Sequence, residues 1–324
     1  MNPSNATTGA TSDGHHPLRA GTRGSPLALV QTRGFLRLLA ALPDACACQE
    51  VIIATTGDAV QDRPLAEIGG KGLFAKEIHA ALLARQIDCA VHSLKDLETE
   101  LPPGIVLGCT LRREDARDVL LLGETGGTPD EANPLGVLPP GALVGTSSVR
   151  RQAQLLHFRP DLRVAPIRGN VQTRLRKLRD GECQASLLAL AGLRRLDLQI
   201  PGAIVLDPEI MVPAAAQGII GITVRADDTA LRDRLGMIED KPSRAAATAE
   251  RAMLAALDGS CRTPIGAHAR ILPGGGLSLT GLVARADGTF LLKRTLDGPL
   301  IDAERIGRDL GARLRTAAPA DLFS

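Results

Sequence analysis

Residues 88–96 read Asp-Cys-Ala-Val-His-Ser-Leu-Lys-Asp, an apolar run of strand length that ends in Ser93, Lys95 and Asp96. A buried strand that delivers polar side chains at its carboxyl end points to an open α/β sheet, where ligands gather beyond the strand ends. Asp96 in that position is either a structural counter-ion or an acid/base and cation-stabilising group. His92 has no partner at metal-ligand spacing and reads as a packed histidine. No metal site is expected.

Outward from this stretch, apolar runs at 51–55, 119–122, 143–145, 186–190 and 219–224 alternate with amphipathic stretches. The pattern predicts mostly parallel sheets covered by helices. Helices open at Ser25-Pro26, where a capping hydroxyl precedes a proline at the first helical position, and at Ser147 and Asn170. Residues 123–141 are rich in Gly and Pro and predict a surface loop. From Lys241 the texture changes. A helix over 241–257 leads to the loop Asp258-Gly259-Ser260-Cys261, three strand-like runs (265–271, 277–284, 290–295) and a last helix over 301–317, a small α+β domain.

At 324 residues with 44% hydrophobic content the chain is long enough for more than one core. Residues 1–17 lack a basic segment followed by an apolar one, and no run is long enough to span a bilayer, so the expectation is a cytoplasmic chain with a disordered tail and no membrane partner. The six cysteines show no paired spacing for zinc or disulfides and read as reduced thiols. Trp and Tyr are absent and Phe numbers five, leaving few stacking platforms for bases. Nucleic acid is disfavoured on that ground.

Only six of the 38 basic residues are Lys. That excess of Arg reflects either coding bias or an anionic ligand. For the total count coding bias is the better reading, but two helix starts favour an anion at particular positions. The sequences GTSSVRR (145–151) and RGNVQTR (168–174) put Arg150, Arg151, Arg168 and Arg174 at helix N-termini, where cations cost a few tenths of a kcal/mol up to about 1. With Arg23 before a third helix and Arg195 near a fourth, they predict a cleft for several anions. Gly69-Gly70-Lys71-Gly72 lacks the spacing of a phosphate loop. It is either a lid carrying Lys71 or a plain turn. Cys261, beside Arg262, is either an inert thiol or a nucleophile and attachment point.

Taken together, TRGSPLAL (22–29), IGGKGLF (68–74), AVHSLKD (90–96), REDARD (113–118), GTSSVRR (145–151), RGNVQTR (168–174), LAGLRR (190–195), PAAAQG (213–218) and GSCRTPIG (259–266) resemble the porphobilinogen deaminase family, in the family's order and over about residues 18–290. The resemblance implies two periplasmic-binding-protein-like α/β lobes plus a small C-terminal α+β domain. The first lobe is expected at 18–112 and 218–236, the second at 117–212, and the third domain at 241–324. It implies a dipyrromethane cofactor on Cys261, held by Lys95, Ser148, Arg150, Arg151 and Arg174. Asp96 matches the catalytic carboxylate. Arg23, Ser25, Arg168 and Arg195, with Lys71 on the lid, match substrate-binding positions. The implied reaction joins four porphobilinogen molecules with loss of ammonia and releases hydroxymethylbilane, which passes to uroporphyrinogen-III synthase; the enzyme is expected to be a monomer. Glu67, Thr56 and Ala216 depart from the family's usual Lys, Arg and Gly.

Two other functions fit parts of this pattern. An α/β binding protein would also present an Arg-lined cleft, although the absence of an export signal and the placement of Cys261 count against it. An acyl- or phosphoryl-transfer enzyme using Cys261 lacks an evident base nearby in sequence.

Overall fold

The computed structural model describes residues 17–43, 46–59, 74–123, 133–257 and 264–323. Glu67, Lys71 and Cys261 lie outside them, as do the tail before Pro17 and residues 124–132 of the Gly/Pro-rich segment.

The first lobe contains β1 (Leu18–Thr22), α1 (Pro26–Ala40), β2 (Cys48–Ile52), α2 (Thr56–Ala59), α3 (Lys76–Leu83), β3 (Cys89–Ser93), a 3-10 turn (Leu94–Asp96) and β4 (Ile105–Thr110). Residues 111–117 then cross to the second lobe. It comprises β5 (Asp118–Leu122), β6 (Leu143–Gly145), α4 (Val149–Phe158), β7 (Arg163–Ala165), α5 (Val171–Arg179), β8 (Ala185–Ala189), α6 (Leu190–Arg195) and β9 (Ile204–Val205). Residues 206–219 return to the first lobe, where β10 (Ile220–Arg225) and α7 (Thr229–Gly236) complete it. The third unit is α8 (Lys241–Ala256), β11 (Ile265–Ile271), β12 (Gly276–Ala284), β13 (Leu291–Pro299) and α9 (Ala303–Ala317).

The two large sheets have the orders β2-β1-β3-β10-β4 and β7-β6-β8-β5-β9. Four of the five strands in each run in one direction, as the sequence pattern suggested. In each, the strand that follows a crossover, β10 or β5, enters antiparallel to both neighbours. The remaining pairs are parallel. Chain direction is set by where the crossovers enter, which no local apolar run encodes. The runs also missed β1, β4, β7 and β9, and the helix expected at Ser147 is capped by Ser148.

Strand β10 is buried at all six residues, and β3 at all but its last, because both lie inside the sheet with helices over each face. Phe35 and Leu39 of α1 pack with Ala20 and Ile222 on one face. Ile78 and Leu82 of α3 pack with Ile87 and Ile105 on the other. Each such fully buried side chain contributes about 1.5–3 kcal/mol. In the third unit, α8 and α9 cover the antiparallel sheet β11-β12-β13 through Ala249, Met253, Ile306, Leu310 and Leu314. The parallel strands β1, β3, β6 and β7 all end toward the space between the lobes, so their following residues line it.

Candidate active site

Between the lobes lies a cleft of about 640 Å³. From the first lobe, the residues after β1 bring Arg23 and Ser25. Ser25 caps α1 by accepting the Ala28 N–H at 3.4 Å, and the Arg23 guanidinium sits 4.1 Å above the Phe74 ring. The turn after β3 brings Lys95 and Asp96 to the same wall. Asp96 is exposed to the cleft. Its carboxylate accepts no hydrogen bond from the described residues. A small annex of about 70 Å³ continues between Gln31, Phe74, His92 and Asp96. His92 itself is buried and paired with Thr223 Oγ1 at 2.9 Å, and burial lowers its pKa to about 3, so it is a neutral packed histidine.

The second lobe supplies Ser147, Arg151, Arg168, Arg174 and Arg195 to the opposite wall. Ser148 and Arg150 do not line it. Ser148 caps α4 by accepting the Arg151 N–H at 3.5 Å. Arg150 points away from the cleft, donating to Val212 O at 2.6 Å and pairing with Asp118 at 2.8 Å. Arg151 pairs with the same carboxylate at 2.7 Å and donates to Leu187 O. Asp118 is fully buried. Burial would raise its carboxyl, but the two guanidinium groups outweigh that and hold it well below the usual carboxylate range.

Gln217 ties this node to the other lobe. Its Nε2 donates to Ala116 O at 2.7 Å and to Asp118 Oδ1 at 2.8 Å, and its Oε1 accepts from Lys95 Nζ at 3.3 Å. Burial lowers Lys95 to about 8; Asp96 opposes the fall and Arg151 adds to it. Neither Asp118 nor Gln217 stood out as a site residue in the sequence. The available signals were a carboxylate directly before the all-apolar run Val119–Leu122, and a lone amide in the small-residue stretch 213–218.

The turn carrying Gln217 is conformationally demanding. Gly218 has φ +87°, and a Cβ there would sit 2.3 Å from Glu114 O. Ala216 also has positive φ, 59°, a region that costs a non-glycine residue roughly 1–2 kcal/mol. The Ala216 N–H is held by Glu250 Oε2 at 2.5 Å. Buried Glu250 also binds Arg113 at 2.6 Å and the Ala269 N–H at 2.6 Å, so one carboxylate joins both crossovers to the third unit.

Among the described residues, the cleft wall carries six cationic side chains (Arg23, Lys95, Arg151, Arg168, Arg174 and Arg195) and one carboxylate, Asp96. Arg168 Nη1 is buried without an acceptor among them. Arg174 donates Nε to Gly169 O at 2.9 Å, and Arg195 donates Nη2 to Gly218 O at 2.5 Å. Burial brings each of these two to about 10, so both remain charged near neutrality. Such a wall suits a ligand bearing several carboxylates. Among the described residues there is no cluster of three or more His, Cys, Asp or Glu that could hold a metal, and no helix long and apolar enough to cross a membrane.

Comparison with known proteins agrees with this geometry. Residues 18–233 match the family model described as porphobilinogen deaminase, dipyromethane cofactor binding domain, and residues 245–316 match the porphobilinogen deaminase C-terminal domain. The chain is 49% identical to porphobilinogen deaminase of Paracoccus denitrificans over 96% of this chain and 97% of that one. It is 46% identical to the chloroplastic porphobilinogen deaminase of Oryza sativa, covering 94% of this chain and 85% of that one. Among solved structures it is also similar to a probable amino-acid ABC transporter extracellular-binding protein from Bacillus subtilis, at 10% identity and TM-score 0.40, covering 69% and 90% of the two chains. With matches to both of the family's domains and near-half identity along almost its whole length, this chain belongs to the porphobilinogen deaminase family.

Proposed function

We propose that the chain joins four porphobilinogen molecules head to tail with loss of ammonia and hydrolyses the product to hydroxymethylbilane, on a dipyrromethane attached through a thioether to Cys261. The observation that carries this reading is the facing of Asp96 and Lys95 on one wall with Arg151, Arg168, Arg174 and Arg195 on the other. In this reading the enzyme is a cytoplasmic monomer, and its product goes to uroporphyrinogen-III synthase.

The donor set fits a carboxylate-bearing dipyrromethane, because the wall is cationic and Arg168 has a buried donor still to satisfy. Lys95, Arg151 and Arg174 would hold that group, with Ser148 and Arg150 fixing α4 from behind. When bound, it supplies the free pyrrole α-carbon to which substrate units are joined. Arg23, Ser25, Arg168 and Arg195 bind the acetate and propionate groups of incoming porphobilinogen, assisted by Lys71. Asp96 accepts the pyrrole N–H and offsets the positive charge that develops on the substrate's aminomethyl carbon as ammonia departs. Asp118 and Gln217 keep Arg151 and Lys95 aimed at the cleft, so their reorganisation does not accompany the reaction.

Intact mass of the purified chain tests this directly. The wild type should carry one dipyrromethane and, with a small excess of porphobilinogen, show a ladder of one-pyrrole steps. Cys261→Ser should show the bare chain mass and no turnover, since a hydroxyl is a far weaker nucleophile than a thiol. Full turnover by Cys261→Ser would overturn the attachment.

A further inference from the structure

Next to Glu250 on α8 stands Arg251, a charged side chain with no part in the chemistry described so far. Its Nη1 donates to Leu97 O at 3.0 Å, and its Nη2 donates to Glu98 O at 2.6 Å and Thr99 O at 3.2 Å. These three carbonyls come directly after the 3-10 turn Leu94–Asp96. A turn that short leaves its trailing carbonyls without partners of its own, and a planar guanidinium can orient several at once. The turn's other end is also fixed, because the Leu94 N–H donates to Ile219 O at 3.0 Å in the returning crossover. Leu97 and Leu94 are buried against Ala247, one turn earlier on α8. Burial brings Arg251 to about 10, which leaves the fork charged near neutrality.

Asp96 itself is exposed, and its carboxylate receives no hydrogen bond from the described residues. Its position therefore follows from its backbone, and that backbone is clamped by Ile219 on one side and Arg251 on the other.

We propose that Arg251 is a positioning residue for Asp96: from the third domain it fixes the strand-to-turn segment that presents the carboxylate to substrate. The proposal rests on the role given to Asp96 above. It also makes α8 the element shared by the Asp96 turn, through Arg251, and by both crossovers, through Glu250. The helix leads directly toward the segment that contains Cys261.

The test uses full-length protein carrying its dipyrromethane, with loading read by an aldehyde colour reagent for pyrroles and by intact mass. Arg251→Met removes the fork, and Arg251→Lys keeps the charge but not the planar geometry. Loaded Arg251→Met should lose about 10- to 100-fold in kcat with KM moving less than about threefold, the loss expected from an ångström-scale displacement of a reacting group. Arg251→Lys should fall between Met and wild type. In an Asp96→Asn background, Arg251→Met should cost less than about twofold more, because residues that act through one another are not additive. Turnover within about twofold of wild type for both loaded variants, or an equal fold-loss in both backgrounds, would reduce Arg251 to a domain clasp. If Arg251→Met does not fold, Arg251→Lys decides by the same two criteria. Full kcat in Asp96→Asn would remove the Asp96 role and this proposal together, whereas loss in Asp96→Asn with none in the Arg251 variants removes the positioning role alone.

Discussion

At the start of α4, Arg150 and Arg151 both pair with buried Asp118, and of the two only Arg151 also lines the cleft; at the start of α5, Arg168 and Arg174 line the cleft, and no carboxylate pairs with either among the described residues. The sequence signature is the same, cations at the positive end of a helix. The difference lies in whether the fold supplies the counter-charge. For α4 it comes from β5, 33 residues upstream of Arg151, so that region is a finished internal ion network. For α5 no carboxylate of the described chain forms an ion pair with Arg168 or Arg174, and only Asp96 acts on Arg174 from a distance. One helix start is therefore neutralised within the fold, with Arg151 held at the cleft wall, and the other faces the cleft without an ion-pair partner among the described residues.

Breaking the network should give the largest effect. Asp118→Asn leaves two buried guanidinium groups without a negative partner, a loss of about 3–5 kcal/mol in denaturant unfolding. The pH dependence follows from the direction of the shift. Asp118's folded carboxyl lies below its unfolded value, so its stabilisation is present above the unfolded pKa of about 3.9 and declines as pH falls below it. The stability gap between wild type and Asp118→Asn should narrow under acid. A gap that stays constant down to strongly acid pH would mean that the loss comes from packing rather than from charge.

The open site should answer in the opposite way. Arg168→Leu and Arg174→Leu remove cations that the fold does not neutralise, so stability should change by less than about 1 kcal/mol and rise where helix-dipole repulsion is relieved. Turnover should fall about 10- to 100-fold, since each charge-assisted bond to a carboxylate contributes about 1.5–3 kcal/mol. Unfolding curves and steady-state rates on the same preparations separate the two outcomes. A stability loss at Arg168 as large as that at Asp118 would erase the distinction between the helix starts.

The sequence carried the distinction only in part. Both cationic helix starts were legible, and so was the polar end of β3, because local composition encodes them. The helix start read at Ser147 lies one residue before the actual cap. Ser148 accepts the Arg151 N–H, while Ser147 Oγ donates to Ile167 O, a long-range contact that no local pattern encodes. The pairing of Arg150 and Arg151 with Asp118 was hidden for the same reason, since Asp118 precedes them by a whole loop and strand. Strand β1, Leu-Arg-Ala-Gly-Thr, escaped detection because its residues alternate too weakly to register as an apolar run, although β2 and β3 flank it on both sides. The αL conformation at Ala216 is one that glycine adopts without that cost, and an alanine gives no local warning of it.

Lys95 sharpens the comparison most finely, because it lies between the two regimes. Its ammonium donates to Gln217 Oε1, with Asp96 on the cleft side and Asp118, Arg150 and Arg151 behind. Its folded pKa, lowered by burial to about 8, lies below the unfolded value of 10.5. The unfolded chain therefore binds more protons between these values, and this residue makes the fold more stable as pH rises from about 8 toward 10.5. Ligand binding should move the other way, because only the protonated amine attracts a carboxylate. Uptake of dipyrromethane by apoprotein incubated with porphobilinogen should weaken as pH passes upward through about 8. Lys95→Arg, whose guanidinium stays charged, should hold uptake level between about pH 7 and 9. Asp118 raises the Lys95 pKa. In Asp118→Asn the falling limb should consequently shift to lower pH in whatever fraction folds. A limb that survives Lys95→Arg unchanged would assign the titration to another group, and one that ignores Asp118→Asn would show that the buried network does not reach the cleft wall electrostatically.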